Sequence, residues 1–67
     1  MAVLKVIELL ASSGKSWEDA AHAAVKSASK TVKEIRSVYI KDMSALVKEN
    51  KIVEFRVNAK VTFEVKN

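Results

Sequence analysis

The side chains in this chain that could do chemistry are few and far apart. His22 is the only one whose ordinary pKa lies near neutrality. It shares the wet side of an expected helix with Lys26 and Ser29 and reads as a solvated residue. Glu54 and Glu64 lie on the polar face of one extended segment, ten residues apart. At about 3.3 Å per residue that is far beyond the reach of a paired-carboxylate mechanism. The chain has no cysteine, one histidine and one glycine. Thiolate or histidine-rich metal centres, disulfides, cysteine nucleophiles and glycine-rich phosphate loops are therefore excluded. These residues point away from an enzyme. Trp17, Tyr39 and Phe55 could stack on a planar ligand, but Trp17 falls on an apolar helical stripe, and the other two read as core or interface residues. Asp42 and Glu49 are expected to flank a hairpin tip, where their oxygens could serve a hard cation.

Those candidates must be positioned by a very small body. Sixty-seven residues make one domain, 1–67, and 49% of them are hydrophobic. So short a chain is marginal alone, and without disulfides or a structural metal its remaining support is self-association. The net charge is +4, but the twelve basic residues are interleaved with eight acidic ones along the whole sequence. That pattern reads as a solvated surface rather than a nucleic-acid footprint. No stretch approaches the ~18 apolar residues of a membrane span. Lys5 and Glu8 interrupt the first apolar run, and no secretory signal pattern is visible. The expectation is a soluble, cytoplasmic, self-associating protein with neither nucleic-acid nor membrane partners.

The clearest element lies at the end of the chain. From Ile52 to Lys66, apolar Val53, Phe55, Val57, Ala59, Val61, Phe63 and Val65 alternate with Glu54, Arg56, Asn58, Lys60, Thr62 and Glu64. A period of two predicts one long strand with an apolar and a polar face. Val3 to Ala11 predicts a first strand with apolar groups on both faces, so both sides need cover. Ser12-Ser13-Gly14-Lys15 is a polar break, and Ser16 is placed to cap a helix, with Asp19 three residues on. The spacing predicts that helix over Trp17 to Val32, with Trp17, Ala21, Ala24, Ala28 and Val32 as its buried stripe, widened by Val25. Ile35 to Val47 predicts a second strand, with Val38 and Ile40 on one face and Ile35, Tyr39 and Met43 on the other. Lys48-Glu49-Asn50-Lys51 is the turn, and Asn50 is the residue best suited to a left-handed conformation. The fold class is α+β: a βαββ order in which one helix lies across a three-stranded antiparallel sheet.

Several of these segments resemble one family. Lys5-Val6-Ile7-Glu8-Leu9 followed by Ser12-Ser13 is similar to the opening of the dodecins, and Ser16-Trp17-Glu18-Asp19-Ala20 to the start of their helix. Ala28-Ser29-Lys30-Thr31 with Ile35-Arg36 resembles the end of that helix and the entry to the next strand. The hairpin from Asn50 to Phe63 has the same rhythm. The resemblance implies a βαββ subunit, a hollow homododecamer, and storage of flavins stacked on a tryptophan and hydrogen-bonded by a glutamine at subunit contacts, without turnover. The tryptophan position is Ser37 here and the glutamine position is Arg56, so Ser37 and Arg56 mark the implied ligand site. Serine has no π face, and arginine cannot accept a hydrogen bond. Tryptophan-lacking relatives are described as calcium-binding, and Asp42 is the candidate metal ligand by its place in the chain. The sequence thus points to a dodecin-like small-ligand store whose flavin affinity is weakened at Ser37 and Arg56, with a calcium-binding or purely structural assembly as the alternative.

Overall fold

A computed structural model describes residues 2–66. The elements run in the order β1 (Val3–Ser13), α1 (Trp17–Ala28), β2 (Ile35–Lys48) and β3 (Lys51–Val65). The sheet order is β1-β3-β2, antiparallel throughout, so the strand with the cleanest alternation takes the centre. A central strand needs partners on both edges, and β3 is the only strand whose two faces are sharply distinct in the sequence. Its apolar positions Val57, Ala59 and Val61 are fully buried under α1.

The helix begins where Ser16 caps it: the Ser16 hydroxyl accepts from the Asp19 backbone N–H at 2.9 Å. It ends four residues before the expected Val32. The Lys30 N–H turns back to the Ser27 carbonyl at 3.2 Å and the Thr31 N–H to the Ala28 carbonyl at 3.0 Å, tightening the last turn. The β-branched pair Thr31-Val32 follows, and such residues lose side-chain freedom in a helix. The buried line is Ala20, Ala24 and Ala28, so Ala20 replaces the expected Ala21, which sits half-buried on the flank with Trp17 and Val25. Methyl side chains at every fourth position let the helix axis press against Val57, Ala59 and Val61. Trp17 and Phe55 close one end edge to face, with ring centroids 4.8 Å apart.

The second strand departs from simple alternation. Register shifts between Ile35 and Ser37 and between Ile40 and Asp42 each place an extra residue in β2. As a result Ile35, Val38, Ile40 and Met43 all pair with helix-side residues of β3 (Phe63, Val61, Ala59 and Val57), whereas Tyr39 pairs with Lys60 on the opposite face. The expected grouping of Ile35 and Met43 with Tyr39 is therefore corrected, because the bulges reset the period. The β2–β3 turn places both Glu49 (φ 52°) and Asn50 (φ 65°) in the left-handed region, as a two-residue type I′ hairpin requires. The hairpin runs past the end of β1, whose last partner on β3 is Phe55. Val47, Ile52 and Val53 are consequently exposed on a two-stranded ribbon with no third strand.

Candidate ligand site

The face of the sheet away from α1 is open, and its residues form cross-strand rungs of three. In the order β1-β3-β2, these are Val6–Thr62–Ser37, Glu8–Lys60–Tyr39, Leu10–Asn58–Asp42 and Ser12–Arg56–Ser44. Both positions singled out by the sequence, Ser37 and Arg56, lie on this face. They are six positions apart along β3, roughly 20 Å at the strand repeat, so one chain does not bring them together. The Arg56 guanidinium is held by its own neighbour, with Nε donating to Glu54 at 3.0 Å. Ser37 is exposed beside Arg36, whose guanidinium bridges Glu64 at 2.8 Å and Glu34 at 3.2 Å. Arg36 is pushed above its ordinary pKa, chiefly by the hydrogen bond to Glu64 and then by that carboxylate's charge, so it remains a fixed cation at this end of the face. Glu34 itself adopts φ 61°, and its carbonyl accepts from the Glu64 N–H at 3.0 Å.

Asp42 does not flank the hairpin tip. It lies mid-strand opposite Asn58, seven residues before Glu49, because the turn is confined to Glu49 and Asn50. An open cavity of about 450 Å³ lies between the start of α1 and β2, floored by Trp17, Ala21, Ile40 and Met43, with Glu18, Lys41 and Asp42 also in its lining. No group of three or more His, Cys, Asp or Glu that could hold a metal ion occurs among the described residues. Trp17 is anchored: its indole N–H donates to the Ser44 carbonyl at 2.8 Å, which ties α1 to the outer strand. A second open cavity of about 460 Å³ lies at the other end of the helix, between Val32, Phe63 and the lysines Lys5, Lys33 and Lys66.

Tyr39, read from the sequence as a core or interface residue, is 65% exposed on the open face, on the side of β2 opposite Val38 and Ile40. Around it, Leu4, Val6 and Leu10 of β1 are also more than half exposed, so the first strand is apolar on both faces but covered on only one.

Comparison with known proteins adds to this geometry. A sequence model of the family described as Dodecin matches residues 3–66. The chain belongs to the dodecin family. Among its relatives, the calcium dodecin of Mycobacterium tuberculosis is 32% identical over 66 residues, covering 98% of this chain and 93% of that protein. A crystal structure of that calcium dodecin, described as calcium chelating with a novel calcium-binding site, superposes with a TM-score of 0.82 at 31% identity over 96% of this chain and 91% of the other. A dodecin of Thermus thermophilus, crystallised as a single-substitution variant, matches at a TM-score of 0.94 and 27% identity over the full length of both chains. The dodecin fold thus accounts for the βαββ order and the single helix laid across the sheet.

Proposed function

We propose that this dodecin, as a single domain over 1–67, assembles into a homododecamer that binds and stores a small ligand or ion and does not turn it over. The observation that carries this is the open sheet face. Its ligand-site positions, Ser37 and Arg56, lie six positions apart along β3 within one chain and can meet only across a subunit contact. Leu4, Val6 and Leu10, together with the projecting hairpin residues Val47, Ile52 and Val53, supply apolar surface for such contacts. An isolated two-stranded ribbon is marginal in water, so that hairpin end gains from a neighbour. Residues suited to catalysis remain dispersed: Glu54 and Glu64 are ten positions apart on β3, and His22 is exposed on the helix. The composition fits a cytoplasmic protein with no call for nucleic-acid or membrane partners, and no helix among the described residues is long and apolar enough to cross a membrane.

A flavin is the ligand the family implies, and Ser37 and Arg56 fit it poorly. Ser37 offers no ring, and Arg56 donates only. A flavin held here must lean on other groups of the open face, and its affinity is reduced accordingly. Calcium is the second reading, favoured by the 32% identity to the calcium dodecin, with Asp42 as the candidate ligand. Isothermal titration of the assembled protein with flavin mononucleotide and, separately, with calcium tests both. Saturable binding of either supports storage; saturation by neither leaves only a structural assembly.

A further inference from the structure

The end of the β2–β3 hairpin works against its own stability. Lys48 and Lys51 face each other directly across the two strands, and like charges in that position repel. Between them Glu49 and Asn50, neither a glycine, hold left-handed backbone angles. Below the turn Val47 pairs with Ile52, and both are more than half exposed, as Val53 nearly is beside them. A cationic tip on an apolar stem is matched by a surface that is apolar in the middle and acidic at its border.

The cavity between the start of α1 and β2 is such a surface. Its floor is Trp17, Ala21, Ile40 and Met43, and Glu18 and Asp42 are in its lining. Elsewhere the carboxylates are engaged: Glu8, Glu34, Glu54 and Glu64 are in ion pairs, and Asp19 accepts from the Ser13 hydroxyl at 2.6 Å. Glu18 and Asp42 make no ion pair among the described residues. Lys41, the cation of that lining, reaches Glu8 at 3.8 Å. The hairpin of the same chain cannot fill the cavity, because β2 runs on from Met43 to Lys48, roughly 17 Å away at the strand repeat.

We propose that the hairpin end of one copy docks into the α1–β2 groove of the next, with Val47 and Ile52 covering its apolar floor and Lys48 and Lys51 meeting Glu18 and Asp42. This rests on reading the protein as a self-assembling store, and it names surfaces that join its subunits. The contact is head-to-tail: each copy gives one hairpin and receives another, so repetition closes a ring. The opposed lysines gain counter-charges, and the ribbon gains the cover that a single chain denies it.

The test is sedimentation velocity of the full-length chain over a range of protein concentrations, with far-UV circular dichroism to check that each variant keeps its fold. Reversing the tip (Lys48→Glu with Lys51→Glu) or the groove (Glu18→Lys with Asp42→Lys) sets like charges against each other. Either reversal raises the concentration at which the assembly half-dissociates by about a hundredfold or more. All four substitutions in one chain exchange the charges and bring that concentration back to within about tenfold of the parent. Lys26→Glu with Lys30→Glu, towards the other end of the helix from Glu18, changes the net charge as the tip reversal does and leaves assembly as in the parent. A folded tip-reversed protein that assembles as the parent does overturns the docking while leaving the oligomeric store standing. A folded four-residue exchange that stays dissociated overturns the pairing of this hairpin with this groove. A parent chain that stays monomeric overturns the docking and the storage assembly together.

Discussion

The faces of β3 make a sharp prediction at Val61. Val61 is fully buried, paired with Ile7 on β1 and Val38 on β2, and it lies beneath α1. Val61→Thr is nearly isosteric and places a hydroxyl where the surrounding rung is entirely apolar. An unpaired buried hydroxyl costs about 1–3 kcal/mol. Val61→Asp places an ionised carboxylate there instead, and the effective penalty for a buried unpaired charge is several kcal/mol. A chain of this size has roughly 3–10 kcal/mol of total stability. The threonine variant is therefore expected to unfold at measurably lower denaturant and the aspartate variant not to fold at all. The control is the adjacent residue: Thr62 points to the open face opposite Val6 and Ser37. Thr62→Val removes a hydroxyl that the core never sees, and the stability of the helix–sheet core changes by less than about 0.5 kcal/mol. Urea unfolding followed by far-UV circular dichroism reads all three. A soluble, fully folded Val61→Asp protein would show that the faces of β3 are the reverse of those described.

Three further outcomes follow from the same geometry. Ser16→Ala removes the acceptor of the Asp19 N–H and lowers stability by about 1 kcal/mol in the same urea assay. Replacing Glu49-Asn50 by Asn-Gly suits the left-handed angles of the type I′ turn, and the unfolding midpoint rises by an amount equivalent to about 1 kcal/mol. Ser37→Trp adds a stacking ring on the open face, and flavin mononucleotide binding measured by fluorescence quenching tightens about tenfold or more.

Much of the fold was legible because its strongest signals are local. The alternation from Ile52 to Lys66 gave the long strand β3, Ser16 and Asp19 gave the start of α1, and the apolar run of Val3 to Ala11 gave β1. The helix end was missed because Thr31 and Val32 continue the apolar spacing while the backbone has already turned at Ser29. Ala20 was missed because its neighbour Ala21 has the same composition, and only the docking angle of the sheet chooses between them. The bulges in β2 moved Ile35 and Met43 to the face of Val38 and Ile40 by shifting the period where the side chains give no sign of it. The candidate site was legible only in part. Ser37 and Arg56 do fall on one face, but nothing in a single chain's sequence says how far apart that face puts them. Asp42 was tied to the hairpin tip, although it lies mid-strand opposite Asn58 and seven residues before Glu49.

Assembly decides whether the ligand site exists, since Ser37 and Arg56 sit on a face that a lone subunit leaves open. Native mass spectrometry of the gently purified protein, before and after addition of flavin mononucleotide or calcium, tests this directly. The expected species holds twelve copies of the 7.4 kDa chain and gains the mass of the added ligand in a saturable way. A monomer or dimer, or a dodecamer that takes up neither, would contradict it.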